Sequence, residues 1–323
     1  MEVILNQNSK ISFKTFLKQI MFVFVICFSN FKAQDSTTIR FGFVSDTQQP
    51  IWIEKIFLKA NHNLKATNAI FSSLSNNEGI SSLFHLGDIT AIGMFNGEWE
   101  EMDQNFSMLR KKNIPIYPAM GNHDYYIFKS YALEQFRKRF PSVKKTWYVV
   151  KLNNVAVLIL NSNFSRLSDS EIEEQKKWYS NTVEELEKND SINTIIVGVH
   201  HSPFTNSKVI DPSEDVQNNF VPQFLKSKKG KLFISGHAHT FEHFKRNGKD
   251  FLVIGGGGGL QHPLLTGNSQ LWKDLFPIPT SVRMFHYLVC EATETQLSLK
   301  VMMLNQDFKT FFLADELNLE LSN

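Results

Sequence analysis

A layered α/β domain is the fold class predicted by this sequence of 323 residues. Three observations predict it. Short apolar runs rich in β-branched and aromatic residues alternate with longer amphipathic stretches. Beyond about residue 250 the chain turns strand-rich. Five of the apolar runs stop, often at a glycine, directly before a residue able to hold a metal ion. Strands that alternate with helices bury their faces by placing sheets between helical layers.

Taken in order, strands are expected at Ile39–Val44, Ser82–Leu86, Ile114–Ala119, Trp147–Leu152, Val155–Leu160 and Thr194–Val199. Further strands follow at Leu232–Ile234, Phe251–Ile254, His286–Cys290, Gln296–Met303 and Thr310–Leu313. Helices are expected near 61–76, 97–112, 129–139, 168–188 and 214–227. The helix over 168–188 carries the strongest signal. Ser168 and Glu171 form a capping box, and Ile172, Tyr179, Val183 and Leu186 recur at helical spacing.

The first 34 residues stand apart. Lys10, Lys14 and Lys18 precede the compact apolar run Ile20 to Phe28, followed by Ser29, Asn30, Ala33 and Gln34. A positive segment before a short apolar run reads as a signal peptide cleaved near Ala33, since about nine apolar residues fall far short of the ~20 that span a bilayer. The expectation is an exported protein, periplasmic or secreted, with a single domain over 35–323 and no transmembrane helix in its mature form. The whole chain has 34 basic and 32 acidic residues. Removing four lysines and one acid with residues 1–34 leaves 30 and 31, a balance of −1. No basic footprint for nucleic acid remains. Of the two cysteines, Cys27 lies in the leader and Cys290 in an apolar run, so no disulfide within the mature chain is expected and Cys290 reads as core.

The strand ends carry the chemistry. They are FGFVSD ending at Asp46, FHLGD at Asp88, YPAMGN at Asn122 before His123 and Asp124, VGVHH at His201, and FISGH at His237 before Ala238 and His239. In open α/β sheets ligands bind beyond the carboxyl ends of strands, so these endings converge on one crevice. Gly87, Gly121 and Gly236 let the chain turn or approach closely there. Each ending alone is an ordinary turn or cap; the conjunction in this order is what points to a metal site.

The series Asp46, Gly87-Asp88, Gly121-Asn122-His123-Asp124, His201-Ser202-Pro203 and Gly236-His237-Ala238-His239 resembles the calcineurin-like metallophosphoesterase superfamily over about residues 38 to 255. The resemblance implies a four-layer α/β/β/α sandwich and a centre of two divalent metal ions, drawn from Mn, Fe, Zn and Mg. It implies that Asp88 bridges both ions, that Asp46 and His239 complete one site, and that Asn122, His201 and His237 complete the other. His201 is preferred to His200 because it stands two residues before Pro203, as the family pattern implies. His123 is then the group over the substrate phosphate that assists the leaving group, oriented by Asp124. The block GHAHTFEH is similar to the GHxHxYE block of purple acid phosphatases, but Gly87-Asp88-Ile89-Thr90-Ala91 lacks the tyrosine that follows their second aspartate. The first motif, usually Asp-x-His, is here Asp46-Thr47-Gln48. A neutral amide oxygen suits harder ions such as Mn or Mg better than Zn, and some phosphatase-like members resemble this chain in having Gln there.

Two cations neutralise the repulsion between an anionic phosphate ester and hydroxide, lower the pKa of a bound water, and align it with the leaving group. The expected reaction is hydrolysis of small-molecule or protein phosphate esters by a metal-bound hydroxide, most simply as a phosphomonoesterase. A phosphodiesterase acting on cyclic nucleotides or glycerophosphodiesters, and a metal-binding extracellular module without catalysis, are the alternatives. The run Gly255–Gly259 lacks the Lys-Ser/Thr of a P-loop. It reads as a flexible turn, or as a rim loop bringing its N–H groups or His262 near substrate. The aromatic-rich stretch Trp52 to Phe57 reads as core or pocket wall.

Overall fold

The computed structural model describes residues 38–50, 62–76 and 79–321. The expected signal peptide at 1–34 and the Trp52 to Phe57 stretch lie outside the described residues. Two six-stranded mixed sheets face each other. The first has the order β12-β11-β10-β1-β2-β3 and the second β4-β5-β6-β7-β9-β8. Their strands are β1 (Ile39–Val44), β2 (Ile80–His85), β3 (Ile116–Pro118), β4 (Tyr148–Leu152), β5 (Val155–Ile159) and β6 (Thr194–Val199). Then come β7 (Gly230–Ser235), β8 (Phe241–Arg246), β9 (Lys249–Ile254), β10 (His286–Ala292), β11 (Gln296–Leu304) and β12 (Phe311–Glu320).

Period-two alternation divides each strand between two cores. Phe41 and Phe43 of β1 join Phe84, Val157, Ile196, Ile234 and Leu288 in the apolar layer between the sheets. The opposite face of the first sheet packs on helices α1 (Asn63–Asn76), α2 (Glu100–Arg110) and α3 (Lys129–Arg139), through Ile70, Phe106 and Phe136. The outer face of the second sheet packs on α4 (Asp169–Lys188) and the short helices α5 (Glu214–Asn219) and α6 (Val221–Lys226), through Tyr179, Val216 and Phe224. Three apolar layers thus separate four structural layers, the α/β/β/α sandwich expected from the sequence. Among the described residues, no helix is long and apolar enough to cross a membrane.

Differences from the expected elements have local causes. The capping box of α4 forms, with Ser168 Oγ accepting from Glu171 N–H and Glu171 Oε2 accepting from Ser168 N–H. Its buried face also holds Gln175, whose amide exchanges hydrogen bonds with the backbone of Asn161 at 2.7 and 3.0 Å. The helix expected over 214–227 is two helices broken at Phe220, because Pro222 supplies no N–H and crowds the preceding turn. The sequence does not predict β8, an edge strand rich in charge and exposed at its end. Polar edge strands carry a weak apolar signal. Cys290 is a buried free thiol, as expected.

One buried carboxyl group of β8 ties two site loops together. Glu242 accepts hydrogen bonds from Thr205 Oγ and Asn206 N–H, which follow β6. Burial raises its pKa to about 7, against an ordinary 4.5. A folded-state pKa above the unfolded value stabilises fully below about 4.5, and that stabilisation is lost as pH rises through about 7. Glu242→Gln mimics the protonated acid. Its melting temperature is expected to equal that of the parent at pH 4 and to exceed it by several degrees at pH 8, a difference on the order of 3 kcal/mol. Thermal denaturation at the two pH values checks this; a variant less stable at both would contradict it.

Candidate metal centre

Every parallel strand that feeds the centre ends on the same edge of its sheet. β1 leads to Asp46, β2 to Asp88, β3 to Asn122, β6 to His200 and β7 to His237. Three of these residues adopt left-handed backbone: Asp46 at φ 58°, Asp88 at φ 52° and His237 at φ 66°. Asp and His tolerate this region better than most residues, at some cost in strain. The reversal turns each side chain off its strand and into the crevice.

Glycine makes the approach of the loops possible. Gly87 has φ 94°, and a Cβ there would lie 2.5 Å from Gly121 N; a Cβ on Gly121 would lie 2.1 Å from Asp88 Oδ1. Gly121 and Gly236 therefore serve close contact rather than a turn, since a Cβ on Gly236 would meet Asp46 Oδ2 at 2.4 Å. The run Gly255–Gly259 is neither a flexible turn nor an open rim. It is buried throughout, Gly257 and Gly259 donate to the carbonyls of Ser45 and Asp46, and a Cβ on Gly259 would press into the His239 ring at 2.5 Å. The run is a close-packed strap behind the centre.

The side chains meet in two groups. Asp46, Asp88 and His239 bring one ligand atom each within 4.8 Å of one another, and so do His200, His201 and His237. Asp88 faces both groups. Its Oδ1 lies 3.4 Å from His200 Nε2, which is 2.9 Å from Asn122 Oδ1. Its Oδ2 lies 3.0 Å from Gln48 Nε2, which is 3.1 Å from His239 Nε2. Asp46 lies 3.4 Å from His239 Nε2 and accepts from His237 N–H at 2.9 Å.

The imidazoles are set for ligation by their other nitrogens. A carbonyl can only accept, so His200 Nδ1–H donates to Leu86 O at 2.9 Å and His239 Nδ1–H to Leu260 O at 2.7 Å. Each arrangement directs Nε2 at the centre, as partners behind a metal-binding histidine do. His201 likewise turns Nδ1 to Ser162 Oγ, 2.9 Å away, and belongs to the same group of ligand atoms as His200 and His237. The sequence reading placed His201 among the ligands and His200 behind them. The structure brings both to the centre, and it is His200 that faces Asn122 and Asp88.

Electrostatics fit the same picture. Burial opposes charge on Asp46 and Asp88, yet His239 and His200 outweigh it and hold both carboxyls below the usual range. Burial likewise opposes protonation of His200, but Asp88 and Asp46 raise its pKa to about 9. Burial, then the neighbouring His200, lowers His201 to about 3. The two carboxylates thus favour positive charge beside them, a role that cations fit. Gln48 Oε1 is buried without a partner. Amide oxygen and nitrogen are assigned from surroundings, and the other assignment aims the oxygen at the space between Asp88 and His239. The residues present therefore fit a two-cation centre, including Gln48.

His123 and Asp124 are arranged differently from expectation. His123 donates Nδ1–H to Ala91 O at 3.0 Å, leaving Nε2 free to face substrate, while its N–H donates to Asp88 Oδ1 at 2.8 Å. Asp124 does not touch that ring. It accepts from the N–H groups of Ile89, Thr90 and Gly121, joining the Asp88 loop to the Asn122 loop. Burial, then the charge of Asp88, raises its pKa to about 7. The backbone carbonyl took the orienting role because the tight Asn122–Tyr125 turn points Asp124 inward.

A sequence pattern for calcineurin-like phosphoesterases matches residues 39–241. The chain belongs to this family, a class of metallophosphoesterases. Among solved structures it is similar to a purple acid phosphatase from yellow lupin (Lupinus luteus), at TM-score 0.64 and 17% identity. That match covers 88% of this chain and 54% of the lupin chain, so the present chain spans about half of it. It is also similar to GAP50, the anchor in the inner membrane complex of Plasmodium, at TM-score 0.65 and 14% identity, covering 88% and 90%. A dimetal phosphatase from Danio rerio aligns at TM-score 0.60 and 13% identity, covering 88% and 99%. No curated protein sequence matches the chain.

Proposed function

We propose that the chain hydrolyses phosphate monoesters at a centre of two divalent cations. The observation that carries this reading is Asp88, whose two oxygens face two separate groups of ligand atoms. Asp46, Gln48, Asp88 and His239 would hold one ion, and Asp88, Asn122, His200 and His237 the other. When bound, such ions neutralise the phosphate and activate water. The chain's own residues do the rest. The left-handed turns fix the ligands in place, so little reorganisation accompanies binding. His123, held by Ala91 O, presents Nε2 on the substrate side and can give a proton to the departing oxygen. Asp124 keeps the Asp88 and Asn122 loops in register. The oxygen ligands and the amide of Gln48 favour Mn or Mg at the first site.

The test is hydrolysis of aryl phosphate monoesters and diesters by protein beginning at residue 35, reconstituted with Mn, Fe, Zn or Mg. Monoester turnover above diester turnover is expected, highest with Mn or Mg. Preference for the diester would replace this reading with a phosphodiesterase. Absence of turnover on aryl and natural esters alike, with ions bound, would leave a binding module.

A further inference from the structure

Beside the centre stands an exposed aromatic surface. Tyr126, Ile127, Phe128 and Tyr131 are 48%, 47%, 58% and 57% exposed. Exposed apolar residues scattered singly are ordinary; four within six positions form a patch of the kind that marks binding surfaces. The patch is held under strain. Ile127 has φ 71°, a region that β-branched residues rarely enter. Strain of this kind persists where its surroundings over-determine it and clusters at functional sites.

The patch begins at the reacting edge. The Tyr126 ring lies nearly parallel to His123, with planes 12° apart and centroids 5.5 Å apart. Ala91 O holds the Nδ1 edge of His123. Phe128 meets Tyr131 edge-on, and Ile127 and Phe128 also line an open depression of about 640 Å³ together with Arg137 and Arg166.

We propose that Tyr126 is a specificity-determining residue whose ring receives a flat, apolar leaving group, so that the substrates are aryl-type rather than alkyl phosphate esters. A group leaving on the His123 side passes over the Tyr126 ring. Stacking of a flat group on an aromatic ring changes affinity by about tenfold or more. The inference rests on the monoesterase reading, and in particular on His123 standing at the leaving group.

The test compares kcat/KM for 1-naphthyl phosphate and glycerol phosphate in the metal-loaded parent, Tyr126→Ala and Tyr126→Phe. Ratios between variants cancel the intrinsic reactivity of the two esters. Tyr126→Ala is expected to lower the naphthyl-to-glycerol ratio about tenfold, through KM for the naphthyl ester, and Tyr126→Phe to preserve it. An equal loss on both esters would make Tyr126 a support for His123 and overturn the proposal, as would an unchanged ratio. If the parent hydrolyses neither ester, the monoesterase reading fails and calorimetry decides the aromatic surface separately. Parent protein should then bind 1-naphthyl phosphonate about tenfold more tightly than propyl phosphonate, with the preference lost in Tyr126→Ala. Equal binding of the two phosphonates would overturn it.

Discussion

Replacing Asp88 with asparagine is expected to lower kcat at least about a thousandfold and to remove one or both metal ions. The size follows from the position. Among the described residues Asp88 is the one that faces both ligand groups, with one oxygen toward His200 and the other toward Gln48. An amide presents one oxygen and no charge, so a shared carboxylate becomes a ligand for at most one ion. The loss of charge stabilisation amounts to several kcal/mol, and each 1.36 kcal/mol is about tenfold in rate. The backbone tolerates the change, because asparagine accepts the left-handed conformation that residue 88 adopts at φ 52°. Loss of activity therefore reports on the centre rather than on folding, which a melting curve near that of the parent would establish. Full metal content together with full turnover in Asp88→Asn would contradict the bridging role.

The second large effect separates two adjacent histidines. His200→Ala is expected to lose one metal ion and about a hundredfold or more in kcat, whereas His201→Ala retains both ions. His200 is fully buried, locked by Leu86 O, and aimed at Asn122 and Asp88. Its removal takes a ligand and leaves Asn122 and Asp88 facing each other across a gap. His201 lies in the same group of ligand atoms but turns Nδ1 to Ser162 and has no hydrogen bond to Asn122 or Asp88, so a smaller loss, about 10–100-fold, is expected, as for supporting partners. Metal analysis of both variants decides between them. The reverse pattern, with ions retained in His200→Ala and lost in His201→Ala, would restore the assignment read from the sequence.

That pair marks where the sequence stopped being legible. Apolar runs ending at Asp46, Asp88, Asn122 and His237 located the centre, since strand ends in a parallel sheet converge and the residue types there serve no core. Within VGVHHSP the family spacing to proline selects His201; the structure brings His200 to the centre beside it, through the Leu86 carbonyl and Asn122, which no local pattern encodes. Ser162 was missed for a similar reason. It sits at the end of β5 in Asn161-Ser162-Asn163, a strand end with turn-forming residues, and only packing shows it beside His201. Asp124 looked like the partner of its neighbour His123, but adjacent residues in a tight turn point apart, and a carbonyl from residue 91 reached the ring instead. Gly255–Gly259 read as freedom because glycine permits it; here close packing excludes side chains. In each case the residue type was informative and its neighbour in space was not encoded locally.

The measurement that tests the account most directly is the metal stoichiometry of the protein beginning at residue 35, taken after reconstitution with Mn and again in Asp88→Asn. Two ions per chain in the parent and no more than one in the variant are predicted. A parent that binds at most one ion, or a variant that keeps two, would contradict a centre built around Asp88.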